Sequence, residues 1–348
     1  MPFEVQEESS DAARERALEI FNSTREVPAE GHRFDWLYLN NPDGPAVLWT
    51  IRDTGTGEMA GFTVALPRRM IVAGKQRLCW NCADFSILPK YRSLGVALKL
   101  RRAAKDGVDS GRVDFLYAHP NERMAAIHSR VGHLPLGRMV RYASVLRSAT
   151  FFEKKVRSRA LATVMGSVVD PVLRAVEPRS RPNLDYETRV ETVPRFDERF
   201  DELHQQCLDS VPAFGVRDAR YLKWRYGENP LEQTRAIVAE EDGRLRGYLL
   251  FTVEDNIGII KDLFPTTDAA VSIELIGALG REARQQGLAS LSATLLEGNP
   301  ITAALSDFGF RERPDSSQMF VYAPPDNELA PRIADAKNWC VTVGDRDV

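Results

Sequence analysis

The apolar positions along this chain switch between two periods. Over residues 3–146, stretches that alternate every second residue are separated by stretches that recur every three to four. The pattern predicts a strand at 3–6, a helix at 10–22, a short helix at 33–40, and strands at 46–52, 59–66 and 77–88. A helix at 94–109, a strand at 112–118, a helix at 121–131 and a strand at 137–146 follow. Ser10-Asp11 suits the start of the first helix and Asn121 the N-cap of the last, because short polar side chains accept from the free amides of a first turn.

The pattern then repeats. Trp36-Leu37-Tyr38-Leu39-Asn40-Asn41-Pro42 and Trp224-Arg225-Tyr226-Gly227-Glu228-Asn229-Pro230 share Trp-x-Tyr-x-x-Asn-Pro at an offset of 188 residues. Each is followed by a strand-like run, a polar turn and a second strand carrying Gly61 or Gly247. Asp84-Phe85 then matches Asp262-Leu263, and Gly132-His133 matches Gly309-Phe310, at an offset reduced to 177 by the last pair. The drift is what a second copy lacking residues Leu66 to Gln76 would show, so order and spacing indicate a tandem duplication. The expected units are 1–148, a helical linker 149–187, a second copy 188–323, and a tail 324–348 without readable periodicity. In the linker, Phe152, Val156, Leu161, Val164, Met165, Val168 and Val169 recur at helical spacing behind Lys154, Lys155, Arg157 and Arg159. This reads as a stripe packed on both copies, with peripheral membrane contact as the competing reading.

Composition narrows the class. With 348 residues, 43% of them apolar, the chain can build two cores. It has no run of about 18 apolar residues and no leader pattern in its first twenty, so a cytoplasmic protein without a membrane span is expected. The four cysteines form no disulfide framework, and Cys79-x-x-Cys82, inside an apolar run, reads as buried thiols rather than half a zinc site; no metal is expected. The net charge of -3 divides unevenly, with 21 basic and 17 acidic residues in 1–148 but 18 and 27 in 188–348. The basic half suits an anionic ligand and the acidic half a cationic one. No P-loop or serine-nucleophile elbow is present.

The most informative segment is Asp84 to Ala97, an apolar strand running through a turn into a helix. A helix start leaves unpaired amides and partial positive charge, Gly95 lets an anion approach the backbone, and Arg92 adds a full charge. Arg92-Ser93-Leu94-Gly95-Val96-Ala97 resembles the Arg/Gln-x-x-Gly-x-Gly/Ala signature of the GNAT superfamily of N-acetyltransferases, and the resemblance covers almost all of 3–148 and, more loosely, 188–323. It implies an α/β (α+β) fold of two tandem domains, each a mixed, mostly antiparallel sheet flanked by helices. It also implies transfer of an acyl group from acetyl-CoA or another acyl-CoA to an amine. The coenzyme would then be held by Ile87, Leu88, Arg92, Ser93, Leu94, Gly95, Val96, Ala97 and Asn121.

An alkyl ammonium with pKa about 10.4 is scarcely neutral at pH 7, so such chemistry needs a proton acceptor. Asp84, near the acyl carbon in this family, is the first candidate, although Asp262 matches it in a copy that lacks the loop. Where the family places a tyrosine to protonate the leaving thiolate this chain has His128, and His133 replaces the usual phenylalanine; His119 is the competing proton carrier. The segment Phe264 to Val271 has neither Arg nor Gly, and Leu305 stands where the first copy has His128, so the second copy is expected to be catalytically silent. The expected acceptor is a small or carbohydrate-linked amine, with no nucleic acid, and the chain a monomer or homodimer. A Fem-like aminoacyl-tRNA-dependent ligase and a non-catalytic acyl-CoA sensor are the alternatives.

Overall fold

The computed structural model describes residues 3–147 except 27 and 29, residues 186–209, and residues 213–347 except 266. The expected linker helices fall on residues outside this set. In the first copy the elements are β1 (Phe3–Glu8), α1 (Ser10–Thr24), α2 (Gly31–Phe34) continued by a π turn (Asp35–Leu39), β2 (Val47–Asp53), β3 (Met59–Val72) and β4 (Lys75–Ile87). Then come α3 (Leu94–Asp109), β5 (Phe115–Ala118), α4 (Glu122–Arg130) and β6 (Leu134–Val145). Each begins within three residues of its sequence expectation, and β3 runs on to Val72, six residues past the expected end at 66.

The second copy supplies β7 (Glu187–Glu191), α5 (Glu198–Gln206), β8 (Ala213–Gly215), α6 (Ala219–Leu222), β9 (Arg235–Glu241), β10 (Arg244–Glu254) and β11 (Ile257–Phe264). It continues with α7 (Ala269–Gln285), β12 (Ser290–Leu296), α8 (Thr302–Asp307) and β13 (Arg311–Tyr322). The tail holds α9 (Ala330–Ile333) and β14 (Trp339–Cys340).

The strands form one sheet in the order β1-β2-β3-β4-β5-β13-β6-β12-β11-β10-β9-β7. The order is palindromic in the repeat, with one feature that the sequence does not announce: the last strands are exchanged. β13 pairs with β5 of the first copy (Phe320↔Ala118), β6 pairs with β12 of the second (Ser292↔Ala143), and the two exchanged strands pair with each other at the centre (Ser317↔Met139). Neither copy closes its own sheet, because β5 and β12 would each be left with an open edge of backbone donors and acceptors.

The Leu66–Gln76 insertion is a long hairpin. Ala73 and Gly74 turn it with φ of 51° and 73°, the paired left-handed residues of a tight type I′ turn. Its outer arm pairs with β8 (Ile71↔Phe214), which also pairs with β14, so the insertion ties the first copy to the second and to the tail. On one face α3 buries Val96, Leu100, Ala104 and Val108 against Ile51, Trp80 and Leu116; α7 does the same in the second copy with Leu275 and Leu279 against Leu249 and Ile260. Cys79 and Cys82 are buried thiols, with the Cys79 Sγ donating to the Arg68 carbonyl at 3.3 Å.

Candidate active site

The site begins with a fault in β4. Thr63 pairs with Phe85 and Val64 with Ala83, so Asp84 is an extra, bulged residue. Parallel pairing of β4 with β5 runs from Cys79↔Phe115 to Cys82↔Ala118 and stops there, while β4 continues to Ile87 and the other strand leaves through His119-Pro120-Asn121 into α4. A wedge opens between them. The Leu88 amide donates to the Ala60 carbonyl at 2.9 Å, on the β3 side. By alternation the backbone groups of Phe85 and Ile87 face the wedge, and Ile87 O accepts there from Arg92 Nε at 3.0 Å. Leu88, expected among the residues that hold the coenzyme, has its amide committed to β3, and Phe85 and Ile87 are the residues whose backbone groups face the gap.

The wide end of the wedge meets the start of α3. Ser93 is the N-cap, its Oγ accepting from the Val96 amide at 3.4 Å. Ala97 N donates to Ser93 O, which leaves the Leu94 and Gly95 amides at the mouth of the helix without acceptors in their own turn. Leu94 is exposed, and a Cβ on Gly95 would touch nothing within 4 Å. This open cradle fits a diphosphate. In the second copy Asp268 caps α7, its carboxylate accepting from the Val271 amide at 3.1 Å, so the corresponding cradle is filled by the protein's own negative charge.

The narrow end leads to a cavity of about 590 Å³ lined by β4, α3, α4 and β6 of the first copy, by β12 and β13 of the second, and by the tail. Asp84, His119, Asn121 and His128 all line it. Asn121 is spent as the N-cap of α4, accepting from Met124 N at 3.0 Å. Asp84 is held by three groups: Arg33 Nη1 at 2.8 Å and the Tyr38 hydroxyl on Oδ2, and Arg25 at 3.6 Å from Oδ1. These contacts tie Asp84 to Arg25, Arg33 and Tyr38 in the cavity wall. Asp262 is held in the same manner by Arg217 at 2.9 Å and Tyr248 at 3.0 Å.

His128 packs against Phe320, and its Nδ1 lies 2.7 Å from His133 Nδ1, so the two rings share one proton across that contact. Burial holds the pKa of His128 well below its ordinary value and that of His133 down at about 3, and Arg101 adds to both shifts. His128 is thus a neutral imidazole, with one ring N–H able to give a hydrogen bond to a leaving sulfur. His119 is pushed to about 3, chiefly by burial, and neither of its ring nitrogens meets a partner among the described residues.

The tail supplies what the sequence did not show. Asp345 is buried and tied to Arg217 at 2.8 Å and Arg68 at 3.5 Å, and this anchor sets Arg346 and Asp347 into the cavity wall. Burial and the neighbouring Asp84 charge raise the pKa of Asp347 to about 6, against the opposing pull of Arg346, Arg33 and Arg225. Arg101, on the buried face of α3, is the other functional candidate missed. Its signal was a cation at the 97–101–104–108 spacing that otherwise reads as core.

No protein-family model matches this sequence, and no curated protein matches it. Solved structures do. A GCN5-related N-acetyltransferase of Anabaena variabilis superposes with a TM-score of 0.66 at 12% identity, over 92% of this chain and 72% of that one. A probable N-acyltransferase of Enterococcus faecalis gives 0.66 at 10% identity, over 93% of this chain and 72% of that one. The Saccharomyces cerevisiae N-myristoyltransferase, solved with myristoyl-CoA bound, gives 0.58 at 14% identity, over 98% of this chain and 84% of that one. The fold is that of the GNAT acyltransferases. At these identities the resemblance carries the fold, and the chemistry rests on this chain's own residues.

Proposed function

We propose that the protein is an acyl-CoA-dependent N-acyltransferase, with the coenzyme bound by the first copy and the amine acceptor entering where the exchanged strands and the tail complete the cavity. The observation that carries this reading is the continuous path from the Gly95 cradle, along the unpaired edge of β4, to a cavity holding a carboxylate poised near neutrality. The cradle supplies amides and Arg92 for the diphosphate, and the Phe85 and Ile87 backbone pairs with the arm as a missing β-strand would.

An ammonium acceptor must lose two protons to become an amide, and one of them ends on the coenzyme thiol. Asp347, ionised above about pH 6, takes the first, which frees the nitrogen lone pair to attack the thioester carbon. The carbon–nitrogen bond forms, the carbon–sulfur bond breaks, and the nitrogen's second proton passes to the departing sulfur, which leaves toward His128, whose Nε2–H stabilises it when His133 donates to Nδ1. Backbone donors facing the developing oxyanion are worth a few kcal/mol in such barriers. Asp315 is taken by Arg141 at 2.5 Å, which leaves Asp347 as the acid best placed to meet a cationic amine.

The test is calorimetric titration of the full chain with acetyl-CoA and coenzyme A, followed by thiol release with a panel of amines. Micromolar binding with amine-dependent thiol release supports the reading. Absence of binding at millimolar coenzyme removes it, and binding without thiol release for any amine leaves a sensor.

A further inference from the structure

Arg101 is only 1% exposed and projects from α3 toward the closed end of the wedge. Its Nη2 donates to Thr63 Oγ1 at 2.7 Å and to the Ala83 carbonyl at 3.4 Å, beside the last β4–β5 rung. Its Nε and Nη1 have no hydrogen-bond partner, its guanidinium lies 5.3 Å from the centre of the Phe85 ring, and among the described residues no carboxylate lies within ion-pairing distance of it. Other deeply buried arginines face carboxylates: Arg33 faces Asp84, Arg217 faces Asp262 and Asp345, and Arg68, whose Nε and Nη2 also lack a hydrogen bond, lies 3.5 Å from Asp43 and Asp345, while Arg225 donates to the Gly344 and Arg346 carbonyls. An unpaired buried cation is costly, and a fold that keeps one in a cavity wall has a place for an anion. His119, with two unpartnered ring nitrogens at 7% exposure, lines the same cavity and adds a neutral donor.

The position selects which part of a ligand would reach it. Ala83 lies four residues, or about 13 Å, along β4 from Ile87, whose carbonyl accepts from Arg92 beside the diphosphate cradle. A donor anchored at the cradle and laid along β4 places its acyl end, not its nucleotide, beside Arg101. The acceptor side, with Arg346, Asp347 and Asp315, belongs to the second copy and the tail.

Resting on the acyl-CoA reading, we infer that the transferred acyl group carries its own terminal carboxylate, as in a succinyl or malonyl thioester, and that Arg101 selects it with His119 assisting. Arg101 is then the specificity-determining residue, and a plain acetyl or alkanoyl group leaves its charge unanswered.

Titration of the full-length protein with acetyl-, butyryl- and succinyl-CoA tests this. The expected result is succinyl-CoA binding at least about tenfold more tightly than butyryl-CoA, as a charge-assisted pair in a buried site would give. Arg101→Met fills the slot without the charge, so it should abolish that preference, leave acetyl-CoA affinity within about twofold, and melt no lower than the parent in the absence of ligand. Equal binding of butyryl- and succinyl-CoA by the parent overturns the inference. So does a preference that survives in Arg101→Met, or a large loss of thermal stability in that variant, which would make the arginine structural. If succinyl- and butyryl-CoA bind alike but turnover requires a carboxylate on the amine, the anion belongs to the acceptor and the assignment to the acyl chain falls. If no thioester binds at all, the acyl-CoA reading fails first and this inference with it.

Discussion

Trp36 and Trp224, matched residues of the repeat, hold each other reciprocally: Trp36 Nε1 donates to the Trp224 carbonyl at 2.9 Å and Trp224 Nε1 to the Trp36 carbonyl at 3.0 Å, with ring centroids 5.5 Å apart. The two tryptophans form the two-fold seam between the copies. Replacing either by Ala should cost about 3–5 kcal/mol in chemical denaturation, since it opens a cavity and strands the partner's indole N–H. The double variant should cost clearly less than the sum, because both singles break the same contact. Additive losses would show that the two indoles do not act together.

Gly95 separates folding from binding. A Cβ there meets no protein atom within 4 Å, and the residue lies in the first turn of α3. Gly95→Ala should therefore raise stability by up to about 1 kcal/mol through a stiffer unfolded chain. The same methyl enters the cradle, so coenzyme A affinity should fall by about tenfold or more in calorimetry. Unchanged affinity would place the diphosphate elsewhere.

Asp84 and Asp347 can be told apart by substitution to Asn. Asp84→Asn leaves Arg33 buried without its charge partner, and a broken buried pair costs about 3–5 kcal/mol, so loss of stability should dominate. Asp347 has the opposite sign. Its pKa in the folded protein, about 6, lies above the ordinary value of 3.8, so its ionisation opposes folding as pH rises between those values. Asp347→Asn should stabilise the protein at pH 7 by about 1–2 kcal/mol. It should also remove the acid limb near pH 6 from the kcat/KM profile and lower the rate by about 100-fold or more. Retention of that limb would assign it to another group.

Buried imidazoles set acid tolerance. His119 and His133 are held at about 3 and His204 at about 4, all lowered chiefly by burial. Unfolding lets each bind a proton near pH 6.5, so the stability they contribute is full above that pH and is lost as pH falls toward 4. Denaturation midpoints measured from pH 7 to 4 should decline steeply, and less steeply in His133→Asn. An unchanged slope in that variant would show that His133 is not held neutral in the folded protein.

Leu305, the second copy's counterpart of His128, is fully buried, so the expected silence of that copy has a packing basis. Leu305→His should destabilise by about 2–5 kcal/mol, as an unpartnered polar ring enters an apolar core, without adding activity. Thiol-release assays beside denaturation curves check both parts.

The order of strands and helices, the repeat and the junction of strand and helix between Asp84 and Ala97 were legible in the sequence. All of these depend on local rules: side-chain period, capping residues and glycine at a helix start leave their marks within a dozen residues. His119 and His128 were legible as candidates, though not their protonation, which burial alone sets. The exchange of β6 and β13 was not legible, because either strand satisfies the same open edge and nothing local states which copy's strand will fill it. Nor were the roles of Arg101 and Asp347. Arg101 matters for the carboxylate it lacks, Asp347 for the arginines and aspartate around it, and both are relations between segments that only the folded chain brings together.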